Sequence, residues 1–272
     1  RDSANDGLRL FTVERARSAG PMERIPGGPW QVAGPGTVPG FSAVGYYFGH
    51  YVQTETGIPV GLIHSSWGGT QVESWTSQSS LLQLEDPERF LQRPVLEPER
   101  IPVTSNALEP RLNALLEPVN AARPEGERIH VFKRSSNVPI HASNLYNAMI
   151  HPLLDFPIRG VIWYQGESNA GRAYEYRTLF PLMIEDWRRQ WRVGGFPFYF
   201  VQLANYRAGG QQGEDSTWAE LREAQAMALA LPQTGMAVAI DIGESDDIHP
   251  GNKREVGRRL AQQALQQTYG HN

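Results

Sequence analysis

Residues 235–261, GMAVAIDIGESDDIHPGNKREVGRRLA, pass from one kind of periodicity to another. The first eight positions form a compact apolar run followed by Gly243, which reads as a strand. A polar turn with Pro250 and Gly251 follows. From 252 to 270, Val256, Leu260, Ala264 and Leu265 recur at helical spacing, and Asn252 stands where an N-cap belongs. The same strand, turn, helix order recurs upstream. IRGVIWYQG (158–166) reads as a strand and AYEYRTLFPLMIEDWRRQW (173–191) as a helix with Phe180, Ile184, Trp187 and Trp191 on one stripe. Pro181 marks either a kink or a helix start. FPFYFVQL (196–203) is a strand, and TWAELREAQAMALAL (217–231) a helix with Thr217 and Glu220 at capping-box spacing. Such alternation implies βαβ units and a mostly parallel sheet covered on both faces, an α/β fold.

The N-terminal part continues the pattern. LRLFTV (8–13) reads as a strand, and residues 14–40, rich in Pro and Gly, as a loop. FSAVGYYFGHYVQTET (41–56) is a helix stopped by Gly57, and IPVGLIHSS (58–66) a short buried strand. Residues 76–142 are the least regular, with eight prolines between 87 and 139 and short helical pieces near 80–93 and 111–121. They read as an irregular insertion within one domain spanning 1–272.

Bulk composition excludes several classes. Apolar residues make up 40% and charged residues 20% of the 272, an ordinary globular balance. A formal charge of −4 argues against a nucleic-acid partner. No apolar run is long enough to span a membrane, and no signal-peptide pattern is present. Without cysteine there is no disulfide, thiolate metal site or Cys nucleophile. Seven Trp and ten Tyr serve either core packing or a sugar-stacking cleft.

Three strands end in unusual polar segments, and open α/β sheets form sites beyond the carboxyl ends of their strands. HSSWGGT (64–70) places Gly68 and Gly69 where backbone N–H groups can face an anion, with Trp67 as a candidate wall. The bland reading is a tight turn. WYQGESNAG (163–171) crowds Gln165, Glu167, Ser168 and Asn169 behind an apolar strand. Ser168 or Asn169 could simply cap the next helix. Ser168 also fits a nucleophile elbow, except that Ala170 stands where that motif wants Gly. In the third segment, Asp246 three residues before His249 can fix the imidazole tautomer and leave Nε2 as a general base. Asp246 and His249 are equally compatible with a polar turn capping the helix.

Taken together these blocks resemble the SGNH hydrolase superfamily, and within it the sialate O-acetylesterase group of carbohydrate esterases. The matching stretches are 41–75, SNLYNAMIHPLL (143–154), VIWYQGESNA (161–170) and 241–261, in the same order. The resemblance implies a three-layer, flavodoxin-like α/β/α sandwich that removes O-acetyl groups from sugars, either sialic acid or plant polysaccharide. It assigns His249 and Asp246 to the triad and Gly68 or Gly69 with Asn169 to the oxyanion hole. It implies no metal or organic cofactor, and relatives of this group suggest a periplasmic or secreted setting. Trp67, Gln165 and Glu167 are candidate substrate contacts.

The family's serine stands in a Gly-Gln-Ser-Asn-Met-type block that this sequence lacks. Ser3 has no matching neighbours. The expectation is therefore that the first strand, with the nucleophile, lies on a polypeptide segment upstream of residue 1 that completes the sheet. Two alternatives stay open: an α/β-hydrolase-type esterase using Ser168, and a degenerate, non-catalytic glycan-binding homologue. A glycosidase pairing Glu167 with Asp246 would need the two carboxylates about 5–10 Å apart.

Overall fold

A computed structural model describes residues 3–91, 100–103, 108–121, 123, 130–133, 141–206 and 216–271. Its strands fall into three sheets. In the first, β1 (Asn5–Thr12) lies between the short antiparallel β2 (Gln31–Ala33) and the parallel β3 (Val60–His64), which follows helix α1 (Ala43–Thr56). Helix α2 (Gln78–Leu81) then leads to a separate parallel pair, β4 (Arg100–Val103) and β5 (His130–Lys133), joined through α3 (Leu108–Ala121). The third sheet is parallel throughout, in the order β6 (Val161–Trp163), β7 (Phe198–Gln202), β8 (Thr234–Val238). Helix α4 (Ala173–Trp191) links β6 to β7, α5 (Thr217–Met227) links β7 to β8, and α6 (Lys253–Gln267) ends the fold.

β7 shows why the sheet is covered on both faces. Phe198 and Phe200 enter the apolar cluster built on α4 and α5, whereas Tyr199 and Val201 enter the cluster beneath α6. Period-two alternation with apolar residues at every position gives a strand buried on both sides. The α4 stripe packs as its spacing predicts: Phe180, Ile184, Trp187 and Trp191 are all buried. Pro181 neither starts nor ends that helix, which runs through it. The expected capping box at Thr217 is displaced by one residue, because Ser216 is the N-cap and accepts the Ala219 N–H. The loop expected over 14–40 contains β2, three residues too short to carry a period. Asn252 does cap α6, accepting the Glu255 N–H at 3.3 Å.

The first and third sheets share no strand pairing among the described residues, so β3 and β6 each keep one edge without a ladder partner. The two halves are joined by packing. Helices α1 and α6 lie against each other, and Val60 of β3 and Ile162 of β6 flank the same apolar cluster. On the opposite face α4 anchors the segment that follows β3. The fully buried Asp186 accepts Ser77 N–H at 2.7 Å and the Ser77 and Ser80 hydroxyls at 2.8 and 2.7 Å, and the Trp187 indole donates to the Trp75 carbonyl. Among the described residues no helix is long and apolar enough to cross a membrane.

The α1–α6 contact depends on Gly257. A Cβ there would lie 2.7 Å from Tyr47 Cβ and 2.9 Å from the Val44 carbonyl oxygen. Helix propensity favours alanine by about 1 kcal/mol, but overpacking against backbone costs about 1–3 kcal/mol. Gly257→Ala is therefore expected to lower the urea midpoint; an unchanged or raised midpoint would show that the helices can part without loss.

Candidate active site

The turn after β3 is fastened at both ends. The Ser65 hydroxyl donates to the Met149 carbonyl at 3.0 Å. The Thr70 hydroxyl donates to the Trp67 carbonyl at 2.7 Å and accepts from the Trp75 indole at 2.9 Å. Between these anchors Gly68 and Gly69 are exposed. Gly69 has φ +75°, a conformation strained for any residue with a Cβ. Trp67 is half-buried, with the Arg17 guanidinium 4.4 Å and that of Arg15 5.8 Å from its ring. His64 lies 2.6 Å from the Ser66 hydroxyl through Nε2, and its buried Nδ1 has no hydrogen-bond partner.

The loop after β6 binds this turn directly. Gln165 Nε2 donates to the Thr70 carbonyl at 3.0 Å and to Asn169 Oδ1 at 2.7 Å, while Gln165 Oε1 accepts the Tyr176 hydroxyl at 2.9 Å. Asn169 Oδ1 also accepts the Val72 N–H at 3.0 Å, and its Nδ2 donates to Glu73 Oε2 at 3.1 Å. Both amide orientations are fixed by groups that can only donate or only accept. Glu73 is buried, and its other oxygen pairs with Arg172, which also reaches Glu175 at 2.7 Å. Asn169, expected as an oxyanion donor, thus lies fully buried behind the rim. The amide of Gln165, expected to touch substrate, is engaged within the protein. Ser168 is half-buried in the 3-10 turn Glu167–Arg172.

The third loop reaches the second through charge. Burial pushes the Glu167 carboxyl above the ordinary carboxylate range; hydrogen bonds to its own backbone and that of Gly166, and the charges of Lys253 and His249, oppose the shift without cancelling it. Lys253, the first residue of α6, has its ammonium 5.4 Å from the Tyr164 ring. Burial pushes its pKa down against the pull of Glu167, Asp247 and Glu244. His249 is 85% exposed at its side chain and is not packed into hydrocarbon. Its Nδ1 lies 3.8 Å from Asp247 Oδ1, and that same oxygen accepts the His249 N–H at 2.7 Å. Among the described residues this is the carboxylate in ion-pair reach of His249; Asp246 is exposed and makes no such contact.

The first two strand-end segments therefore meet at the carboxyl ends of β3 and β6, and the third leads into Lys253 of α6, whose ammonium lies over Tyr164. An exposed imidazole, a pair of bare glycine N–H groups, a half-buried carboxyl and an indole share that end of the molecule. Such a set can move a proton and stabilise a developing oxyanion. Sequence reasoning passed over Glu73, Arg172 and Asp247. Glu73 did carry a signal, as an acid inside the otherwise apolar VESW (72–75).

Comparison with known proteins places the chain among relatives. The family model described as carbohydrate esterase, sialic acid-specific acetylesterase, matches residues 119–266. The chain is 36% identical over 247 residues to the sialate O-acetylesterase of Mus musculus and 32% identical to that of Homo sapiens, with 84% of this chain covered in each case. It spans only 43% and 39% of those proteins' own lengths. Among solved structures, a carbohydrate acetylesterase from Xanthomonas citri aligns with a TM-score of 0.74 at 38% identity, covering 99% of this chain and 50% of that one.

Glu167 gives the site a pH signature. At pH above its raised pKa the folded protein holds an ionised carboxylate that burial disfavours; below the ordinary carboxylate range it is protonated folded and unfolded alike. Glu167→Gln should therefore stabilise the protein at about pH 8, and the gain should shrink as the pH falls to about 5. Urea unfolding of both proteins at the two pH values checks this; a gain that grows on acidification contradicts the assignment.

Proposed function

The chain belongs to the sialic acid-specific acetylesterase family of carbohydrate esterases, of the SGNH type, and from that premise we propose that its three-loop rim cleaves acetyl esters from sugar hydroxyls by serine catalysis. The observation that carries this reading is the hydrogen-bonded junction of the Gly68–Gly69 turn with the Gln165–Asn169 loop, with the exposed His249 imidazole four residues before Lys253, whose ammonium lies over Tyr164 at the start of that loop.

Among the described residues no serine hydroxyl is hydrogen-bonded to His249, and Ser66 is committed to His64. The unpartnered edges of β3 and β6 suggest where the nucleophile enters. We propose that a further strand pairs with both edges and ends in the reactive serine. A polypeptide segment outside residues 1–272 would supply it. It would satisfy backbone groups that otherwise cost about 1–3 kcal/mol each when buried. With domain stability only about 5–15 kcal/mol, that pairing is a large share of what holds the two halves together.

In this mechanism the serine oxygen bonds to the acetyl carbon as its proton passes to His249 Nε2, and the carbonyl electron pair moves to oxygen. The Gly68 and Gly69 N–H groups receive that charge, a contribution of about 2.7–4 kcal/mol per donor in comparable sites. Collapse breaks the bond to the sugar oxygen, which takes the proton from His249. Water then bonds to the acetyl carbon as its proton passes to the same imidazole, and collapse breaks the bond to the serine oxygen, which takes that proton back as acetate leaves. Asp246, on the family's pattern, orients His249; Asp247 is nearer in this structure. The substrate is an acetylated sugar, with Trp67 as a wall of its cleft.

Three variants test the assignment on 4-nitrophenyl acetate and an acetylated sugar. His249→Ala should lower kcat by roughly 100-fold or more. Ser168→Ala should leave kcat near the parent value; loss comparable to His249→Ala would make Ser168 the nucleophile and remove the need for an added strand. Asp246→Asn should cost far more than Asp247→Asn, and the reverse order would transfer the orienting role to Asp247.

A further inference from the structure

Glu73 is a charged group buried where charge is costly. Its side chain lies one residue beyond Val72, whose N–H is held by Asn169. Carboxylate and N–H together grip the two ends of one amide: Val72 N–H donates to Asn169 Oδ1 at 3.0 Å and Asn169 Nδ2 donates to Glu73 Oε2 at 3.1 Å. The second carboxylate oxygen is taken by Arg172, itself held by Glu175, which also pairs with Arg89. The main chain is fixed at the same point, since the Ser143 N–H donates to the Glu73 carbonyl at 2.9 Å. Asn169 in turn receives Gln165, whose remaining N–H holds the Thr70 carbonyl next to Gly69. An unbroken run of hydrogen bonds thus connects Glu73 to the glycine turn.

Replacing a buried ion pair by apolar residues of similar volume is often neutral or stabilising, so stability alone gives weak reason for this carboxylate. Orientation gives a better one. The Val72 N–H and the Gln165 amide nitrogen, both donors, face the Asn169 oxygen, and a flipped Asn169 would also set that oxygen against the Glu73 carboxylate. An acceptor-only group there adds to the exclusion of the flipped state. Resting on the ester-hydrolysis reading of this site, we propose that Glu73 is a positioning residue: acting through Asn169 and Gln165, it sets where the Gly68 and Gly69 N–H groups stand relative to the acyl oxygen.

The test is Glu73→Gln, with Asn169→Ala and the double variant. Glutamine keeps the volume but meets Arg172 and Asn169 with one oxygen where glutamate has two. On the active esterase, Glu73→Gln is expected to lower kcat about 10-fold or more with KM changed less than about twofold, the pattern of a donor lost only in the transition state. The double variant should cost no more than the worse single one, because the two residues act as a unit. Independently of activity, amide NMR of Glu73→Gln should show shifted Gly68 and Gly69 resonances. Additive losses in kcat, or unmoved glycine resonances, overturn the proposal. An inactive parent would fail the ester-hydrolysis reading, and the glycine resonances would then decide the positioning claim by themselves. If Glu73→Gln does not fold, Glu73→Asp, too short to reach Asn169 and Arg172 together, is read by the same two measurements.

Discussion

Two side-chain amides, Gln165 and Asn169, stand where the two halves of the sheet come together. Residues 95 and 97 positions apart are joined there by Gln165 on the Thr70 carbonyl and Asn169 on the Val72 N–H. No strand ladder links β3 to β6 among the described residues, so these bonds align the two halves together with the Asp186 bonds to Ser77 and Ser80 and the packing of α1 on α6. Buried hydrogen bonds of this kind contribute about 1 kcal/mol each to stability, but leaving any partner unsatisfied costs more. The arrangement is therefore more important for specifying one geometry than for total stability.

That geometry explains how a chemically modest set of residues becomes a site. A glycine turn is flexible in isolation, yet here Thr70 and Trp75 close it from one side and Gln165 from the other. The imidazole is the opposite case: it is mobile in principle, exposed, and attached to the fold through the Asp247 carboxylate and the capped start of α6. The glycine turn is thus held from both sides, whereas the exposed imidazole is held through one carboxylate.

The architecture was legible because burial on both faces leaves a plain sequence record. FPFYFVQL has no polar side to confuse with a helix, and the α4 stripe of Phe180, Ile184, Trp187 and Trp191 declares its period. What escaped was set by contacts distant in sequence. β2 is defined by its antiparallel pairing with β1; nothing in its three residues requires a strand. The scaffold use of Gln165 and Asn169 depends on Thr70, Val72 and Glu73, more than 90 positions away. Polar residues behind a strand look the same in sequence whether they face solvent or a neighbouring loop. The His249 partner shows the finer limit: spacing pointed to Asp246, three residues before the imidazole, yet the turn brings the carboxylate of Asp247, two residues before it, within reach.

Hydrogen exchange of the backbone amides in β3 and β6, measured on the protein in its catalytically active form, tests the central claim most directly. If a serine-bearing strand seats between the two halves, the outward amides of residues 60–64 and 161–163 are as strongly protected as those of β7. If they exchange as fast as the amides of the exposed edge strand β2 while acetyl esters are being hydrolysed, no strand is seated there, and the nucleophile has to be sought within residues 1–272.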